Sequence, residues 1–186
     1  MSKPKFTVPS MSAEDSSRVL DILDGRLVSL IDLSLVLKHV HWNVVGPHFI
    51  AIHEMLDKHL DDVRVMVDDV AERIATMGGT PIGTAGYVVN SRSWDDYDLN
   101  KATVPEHLAA LDVAYSGIII DHREAEEKTA ELDPVTNDLV IGQLAELEHL
   151  QWLVRAHLES SSGDLMTTNI RTEKGAANKA REASSN

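Results

Sequence analysis

Cysteine is absent from this 186-residue sequence, which excludes disulfide bonds and thiolate metal sites. Aromatic residues make up only 4% of the chain, so a core has to be built from aliphatic side chains and methionine. No apolar run approaches the roughly 18 residues that span a bilayer, and the N-terminal stretch MSKPKFTVPS lacks the apolar segment of a signal peptide. We therefore expect a cytoplasmic protein with no membrane partner.

Basic residues are also scarce. The 17 lysine and arginine residues are outnumbered by 30 aspartate and glutamate residues, which gives a formal net charge of −13. A body with this charge repels nucleic acid and membrane surfaces, whereas clustered acids attract small cations. Without cysteine, the ligands available to a metal ion are histidine, aspartate and glutamate. With 43% apolar residues, a chain of this length suits one well-buried globular domain.

The apolar residues predict two long helices in the first part of the chain. Ser12 is followed by acidic residues, as at a helix N-terminus, and from there to Val45 apolar residues recur at helical spacing. Gly46-Pro47 interrupts this pattern and seats a second helix, because proline fits a first helical turn. The second helix continues to Met77, where Gly78-Gly79 ends it.

The second part of the chain predicts two more long helices after a long connection. Residues 78–103 have no sustained periodicity and predict a crossover with a short helix near Trp94. The run Thr103-Val-Pro-Glu106 has the form of a capping box that starts a third helix. Asp133-Pro134 starts a fourth helix, which ends near Glu159. Four long helices with one long middle crossover match the ferritin-like four-helix bundle, an all-α fold.

These boundaries divide the chain into three parts. We expect residues 1–11 to form a flexible N-terminal tail, residues 12–160 to form the four-helix bundle, and residues 161–186 to form a flexible C-terminal tail. The last segment is rich in alanine, serine, asparagine and lysine, a composition typical of disorder.

Candidate metal ligands flank the Gly46-Pro47 break, in the stretch HWNVVGPHFIAIHEMLD. A turn at this break makes the first two helices antiparallel, so His41 and His53 lie at about equal height above it. Asp57 follows His53 by four residues and shares its helix face. Imidazole and carboxylate groups together suit iron, manganese or zinc.

Two further acids, Asp68 and Glu72, lie four residues apart on the second helix. Asp68 is about 22 Å beyond His53 along the helix, yet only about 60° away around its axis. The histidine group and the acidic group are therefore half-sites that cannot share an ion within one chain. A two-fold pairing sets each half-site against the other half-site of the partner and makes two identical metal sites. The simpler alternative is that these residues form a solvated helix face.

The same stretch, followed by DDVAERIA at residues 68–75, resembles the signature of the Dps family, the DNA-binding proteins from starved cells. The resemblance extends over residues 10–160. It implies a hollow dodecameric cage that oxidises Fe(II), with hydrogen peroxide in preference to O2, and stores the ferric mineral inside. It also implies that iron is bound between two-fold-related subunits by His41, His53, Asp57, Asp68 and Glu72.

The resemblance implies roles for two further pairs of residues. Trp42 and Trp152 are candidates for aromatic residues beside the iron site that intercept radicals, and the alternative is that they pack in a core. Asp133 and Asp138 are candidates for the lining of the pore through which iron enters, and the alternative is that they cap the fourth helix. Gly142 stands where some family members carry another acid in this pore.

Two other functions stay open. One is an architectural, nucleoid-associated protein that compacts DNA and whose iron chemistry is incidental. The net charge of −13 counts against it, and residues 164–186 carry four basic and three acidic residues, although many tails on one particle gain avidity for DNA. The other is a structural helical assembly without metal, which would oxidise Fe(II) no faster than buffer.

Overall fold

The structure is a computed structural model that describes residues 5–184, most of them helical. In chain order its elements are α1 (Ala13–Asn43), β1 (Val44–Val45), α2 (Phe49–Thr76), α3 (Ala85–Ser91), β2 (Ala102–Thr103), α4 (Val104–Thr129), α5 (Pro134–Arg155) and α6 (Glu173–Ser184). The predicted all-α class is confirmed, with its long connection between the second and third long helices. No helix within residues 5–184 combines the length and the apolar character that crossing a bilayer requires.

The helix N-termini follow the signals in the sequence. The Ser12 hydroxyl accepts a hydrogen bond from the backbone N–H of Asp15 at 3.0 Å, so it caps α1 as predicted. The carboxylate of Glu106 reaches back to the backbone N–H of Thr103 at 2.8 Å and also accepts from its hydroxyl at 2.6 Å. The Glu106 half of the predicted capping box therefore forms at the start of α4.

The Gly46-Pro47 break is a tight turn, but α1 ends two residues before the predicted boundary at Val45. Gly46 adopts a φ of +102°, which favours glycine, and its carbonyl accepts the backbone N–H of Phe49 at 3.2 Å. Val44 and Val45 leave the helix because they pair in parallel with Ala102 and Thr103. Helical periodicity does not reveal this pairing, since its partner lies far along the chain.

The described residues form two compact units, and each of the four long helices has residues in both. The first unit contains residues up to Ser34, Asp61–Trp94 and Ile120–Ala145. Its fully buried side chains are mainly those of leucine and isoleucine, including Leu20, Leu23, Leu27, Leu30 and Ile74. The second unit contains Leu35–Leu60, Asp95–Ile119 and the chain from Glu146 onward. Its fully buried side chains include Leu37, Ile52, Leu56, Leu108 and Tyr115.

The crossover is fastened to α1 within the first unit. The Tyr87 hydroxyl donates to Asp24 at 2.6 Å. Both Arg92, at 3.1 Å, and the indole N–H of Trp94, at 2.7 Å, donate to the carboxylate of Asp32. The short helix that was expected near Trp94 lies earlier, at residues 85–91. A carboxylate on α1 thus holds Trp94 in the irregular chain that follows the helix.

The N-terminal segment lies against the C-terminal end of α2. The Thr7 hydroxyl donates to Ser16 at 2.9 Å. Gly78 has a φ of +81°, and a Cβ there would come within 2.2 Å of the carbonyl oxygen of Phe6. Glycine is therefore required at this helix end both by its backbone conformation and by the chain that crosses it. Of the predicted N-terminal tail, residues 1–4 lie outside the described residues.

The C-terminal segment differs from the predicted flexible tail, because residues 173–184 form α6. Alanine has the highest helix propensity, and the small side chains of Ala176, Ala177 and Ala180 are buried on one face of this helix. Arg181 pairs with the buried Glu106 at 2.6 Å, and Lys174 pairs with Asp98 at 3.6 Å. An alanine-rich composition suggested disorder, but it supplies a helix that packs closely. Residues 185 and 186 of this predicted tail lie outside the described residues.

Two buried histidines should make stability depend on pH. Burial is the main cause that lowers the pKa of His59 and of His107 to about 4, from 6.5 in an exposed histidine. Between these values the unfolded chain binds protons that the folded chain does not, so stability falls as the pH is lowered from 6.5 toward 4. The slope should approach about 2.7 kcal/mol per pH unit for two protons. Urea unfolding at pH 7.5, 6.5, 5.5 and 4.5 measures it, and a flat profile above pH 5 would contradict the expectation.

Candidate metal centre

Three of the five predicted metal ligands lie together in the second unit. The side chains of His41, near the end of α1, and of His53 and Asp57, on α2, bring one potential ligand atom each within 4.8 Å of the others. His41 is buried, and His53 and Asp57 are half-buried. The tight turn at Gly46-Pro47 sets the ends of the two helices side by side, as the sequence predicts.

The two imidazoles hold each other in one orientation. Nδ1 of His41 lies 3.0 Å from the carbonyl oxygen of His53, and Nδ1 of His53 lies 3.1 Å from the carbonyl oxygen of His41. A carbonyl oxygen can only accept, so each Nδ1 carries a proton, and Nε2 is the nitrogen of each ring that is left to bind a metal ion. The rings stack with their centroids 3.5 Å apart. Histidines that bind metals typically have their other ring nitrogen fixed in this way, so the pair fits a metal ion.

Asp57 is ionised, and the positively charged side chain of Lys38 lies beside it. Nζ of Lys38 lies 2.6 Å from its Oδ1, and Nδ1 of His41 lies 3.3 Å from the same oxygen. The hydrogen bond from Lys38 is the largest cause that lowers the pKa of Asp57. Lys38 was not among the predicted site residues. The signal was present in the sequence, because Lys38 precedes His41 by three residues and so shares its helix face.

The other two predicted ligands stand apart from this group. Asp68 and Glu72 lie on α2, and both are exposed. Both acids belong to the first unit, whereas the histidine group belongs to the second.

The two tryptophans are exposed in the single chain, so the alternative that they pack in its core is wrong. Trp42 follows His41 directly and is 71% exposed, and Trp152 on α5 is 58% exposed. The Trp152 ring stacks on His149 with the centroids 5.7 Å apart. Large exposed aromatic side chains are typical of a surface that another protein covers.

The two acids predicted to line a pore differ in their surroundings. Asp133 is buried, and it accepts the backbone N–H of Thr136 at 3.1 Å and an Arg73 guanidinium N–H at 2.5 Å. Burial alone would raise the pKa of Asp133, but the hydrogen bonds from Thr136 and Arg73 outweigh it and lower the pKa. Asp138 and Gly142 are exposed on α5. Asp133 is therefore the N-cap of α5, whereas Asp138 faces solvent.

Comparison with known proteins agrees with this architecture. The model of the ferritin-like domain matches residues 20–162. The DNA protection during starvation protein of Mycolicibacterium smegmatis is 52% identical over 96% of this chain and 98% of that protein. Mycobacterium smegmatis Dps has a structure with a TM-score of 0.89, at 52% identity over 92% of this chain and 98% of that one. DpsA14 from Streptomyces coelicolor has a TM-score of 0.87, at 55% identity over 88% of this chain and 97% of that one.

These matches define the class of protein as ferritin-like. Since they cover most of both chains at more than half identity, the chain belongs to the Dps family of ferritin-like proteins. The family resemblance that was drawn from the residues around Gly46-Pro47 is confirmed.

Proposed function

We propose that this protein is a ferroxidase that oxidises Fe(II) and stores the ferric product inside a cage of identical subunits. The observation that carries the proposal is the group of His41, His53 and Asp57, with the Nε2 atoms of both rings left to bind a metal ion and one ionised carboxylate. Two neutral nitrogen ligands and a carboxylate oxygen suit Fe(II) as the substrate. The acidic body, with a net charge of −13, favours the approach of the cation.

A second copy of the chain completes the site in this proposal. The histidine group offers three ligands, which leaves coordination positions to be filled, while Asp68 and Glu72 are exposed and lie outside that group. In a two-fold pairing the acids of each subunit face the histidine group of the other. Leu35 and Trp42 on α1 are 57% and 71% exposed and seven residues apart on one helix face, beside Lys38. This apolar face would be buried by the partner.

The reaction in this proposal transfers two electrons to one peroxide molecule. Two Fe(II) ions give up one electron each, H2O2 accepts both, and two protons complete two water molecules, so no hydroxyl radical is released. The two half-sites that form one site bring the charges of three carboxylates to the iron, which favours the ferric product. We propose hydrogen peroxide as the preferred oxidant, O2 as the slower one, and a dodecamer as the assembly. Of the two acids assigned to the iron-entry pore, we propose that only Asp138 lines it, since the carboxylate of Asp133 caps α5.

Compaction of DNA is the alternative function, and the C-terminal segment counts against it. Two of its four basic residues, Lys174 and Arg181, are paired with acids of the second unit. A gel shift that moderate salt weakens steeply, and that is lost when residues 164–186 are removed, would support this alternative. For either function we propose a cytoplasmic location.

The proposed function is tested by the rate of Fe(II) oxidation with peroxide, followed by the absorbance of the ferric product. The wild-type protein should be much faster than buffer, and His53→Ala should slow the reaction by at least about tenfold, because even the loss of a residue that only supports a metal ligand costs this much. His157→Ala, which removes an exposed histidine of the second unit, is the matched control and should keep the wild-type rate. A wild-type rate equal to that in buffer would exclude the function.

A further inference from the structure

The connecting segment, Leu99–Thr103, contacts both the end of α1 and the C-terminal helix α6. Its last two residues form β2, which pairs in parallel with Val44 and Val45 directly after α1. Nε2 of His39 on α1 lies 2.7 Å from the carbonyl oxygen of Leu99 and donates to it, since a carbonyl oxygen can only accept. These residues all belong to the second unit, as does the candidate metal centre.

The contacts that the connecting segment makes with α1 and β1 flank His41 on both sides. His39 precedes His41 by two residues, and Val44 follows it by three. The backbone of His41 in turn orients the second imidazole, because its carbonyl oxygen lies 3.1 Å from Nδ1 of His53. A displacement of the connecting segment would therefore disturb the backbone that carries one metal-binding candidate and holds the other.

An apolar contact ties the connecting segment to α6. Ala177 on α6 is buried in one cluster with Leu99 and Ala110, and the side chains of Tyr97 and Ala102 pack against this cluster. Leu99 thus packs in the cluster through its side chain and binds α1 through its carbonyl oxygen. Ala102 likewise packs against the cluster and lies opposite a residue of β1.

A charged contact ties the last residue of the connecting segment to α6. The buried carboxylate of Glu106 accepts the backbone N–H of Thr103 at 2.8 Å, and Arg181 donates to it at 2.6 Å. Burial alone would raise the pKa of Glu106, but the hydrogen bonds from Thr103 and Arg181 outweigh it and lower the pKa, so the carboxylate is charged. Arg181 therefore supplies the positive partner that this buried charge needs while it holds Thr103 opposite Val45.

We propose that Ala177 and Arg181 of α6 are positioning residues of the metal centre, which act through the connecting segment on the backbone of His41. The inference rests on the proposed function of the histidine group as a metal site. When α6 is docked, the connecting segment holds the backbone on both sides of His41, and the two imidazoles keep the orientation that suits a metal ion. When α6 undocks, the same ligands are present but are less well ordered, so their affinity for metal falls.

The coupling works in both directions. If docking of α6 raises the affinity of the histidine group for a metal ion by some factor, a bound metal ion must favour docking by the same factor. Metal binding and the order of the C-terminal helix are therefore two measures of one quantity, and each can be observed without any oxidation of iron.

The first test measures the affinity of the assembled protein for zinc, with a colorimetric chelator as competitor. Zinc binds imidazole and carboxylate groups as Fe(II) does, but it takes no part in redox chemistry. Arg181→Ala and Ala177→Asp should each weaken zinc binding about fivefold or more, as is typical of coupled sites. Zinc that still binds to His53→Ala is subtracted as binding elsewhere on the acidic surface.

Each of the two α6 variants has a matched control on the exposed side of the same helix. Lys179→Ala removes the same charge as Arg181→Ala, and Asn178→Asp introduces the same charge as Ala177→Asp, but both of these side chains are exposed. The two controls should keep the wild-type affinity for zinc. Thermal midpoints and sedimentation show that every variant folds and assembles. A lower midpoint at unchanged zinc affinity would show that α6 only stabilises the fold.

The second test uses the wild-type helix. Trypsin can cleave after Lys179 only when α6 has left its docked, helical state, and at low trypsin concentration the cleavage rate follows the population of that open state. Saturating zinc should slow this cleavage by about the factor by which Ala177→Asp weakens zinc binding. Zinc should leave the cleavage of His53→Ala unchanged, which also controls for any effect on trypsin itself.

The coupling and the metal site fail in different ways. Wild-type zinc affinity in both Arg181→Ala and Ala177→Asp would refute the coupling, and so would cleavage after Lys179 that zinc does not slow in a wild-type protein that binds it. A wild-type protein that binds no more zinc than His53→Ala would instead refute the metal site, and the coupling with it.

Discussion

Cages that combine two inactive variants should recover about a quarter of the wild-type rate of Fe(II) oxidation. One variant lacks the histidines (His41→Ala with His53→Ala), and the other lacks the acids (Asp68→Ala with Glu72→Ala). Each alone should be as slow as buffer, because every site has lost one half. When the two are co-assembled in equal amounts, about half of the two-fold pairs are mixed, and each mixed pair has one complete site and one empty site.

The control for this experiment is the same two variants assembled separately and then mixed as finished cages, which should stay inactive. Both variants must first assemble normally, since the loss of buried charges at an interface can weaken pairing. If well-formed mixed cages are as inactive as their parents, the two groups do not complete each other across the two-fold pairing.

Asp112→Ala should destabilise the protein by about 3 kcal/mol and release the C-terminal segment. The buried carboxylate of Asp112 accepts hydrogen bonds from Gln151 at 2.8 Å and from Arg155 at 2.6 Å, and it also accepts the hydroxyl of Thr167. Its removal leaves three donors without their acceptor. We expect a lower thermal midpoint and faster trypsin cleavage at the basic residues of the segment, which are Arg171, Lys174, Lys179 and Arg181.

Asp164→Ala is the matched control for this release. Asp164 lies in the same C-terminal segment, but it is exposed, and its carboxylate accepts the hydroxyl of Ser162 at 2.7 Å. Its loss should change stability by no more than about 0.5 kcal/mol and leave the cleavage rate unchanged. Equal cleavage rates of Asp112→Ala and wild type would show that the segment is held by contacts other than this carboxylate.

Local signals in the sequence predicted most of the helical framework. Ser12 and Asp133 cap their helices, and Glu106 accepts the backbone N–H of Thr103 at the start of α4, because side-chain capping depends only on neighbouring residues. The histidine group was also predictable, since a tight turn at Gly46-Pro47 fixes which residues of two antiparallel helices lie side by side. These features are decided by residues that lie close together in the chain.

Features that depend on distant residues could not be read from the same patterns. The pairing of β1 with β2 ends α1 early, but its two strands are 58 residues apart, and two-residue strands have no periodicity to detect. The order of α6 depends on Glu106 and on a surface that accepts its alanines. Trp42 lies on the surface of the chain and not in its core, and composition alone does not tell which of the two places a tryptophan occupies.

Glu106 receives its partners at different times while the chain is being made. Thr103 is a near neighbour, whereas Arg181 follows Glu106 by 75 residues, and synthesis at 5–20 residues per second delays it by roughly 4 to 15 s. During this interval α4 can form with its N-terminus capped, but the outer side of the carboxylate faces water. The last helix therefore docks onto a surface that is already folded. A chain whose synthesis stops before α6 would keep the candidate metal group and expose Glu106 and Ala110 in place of that helix.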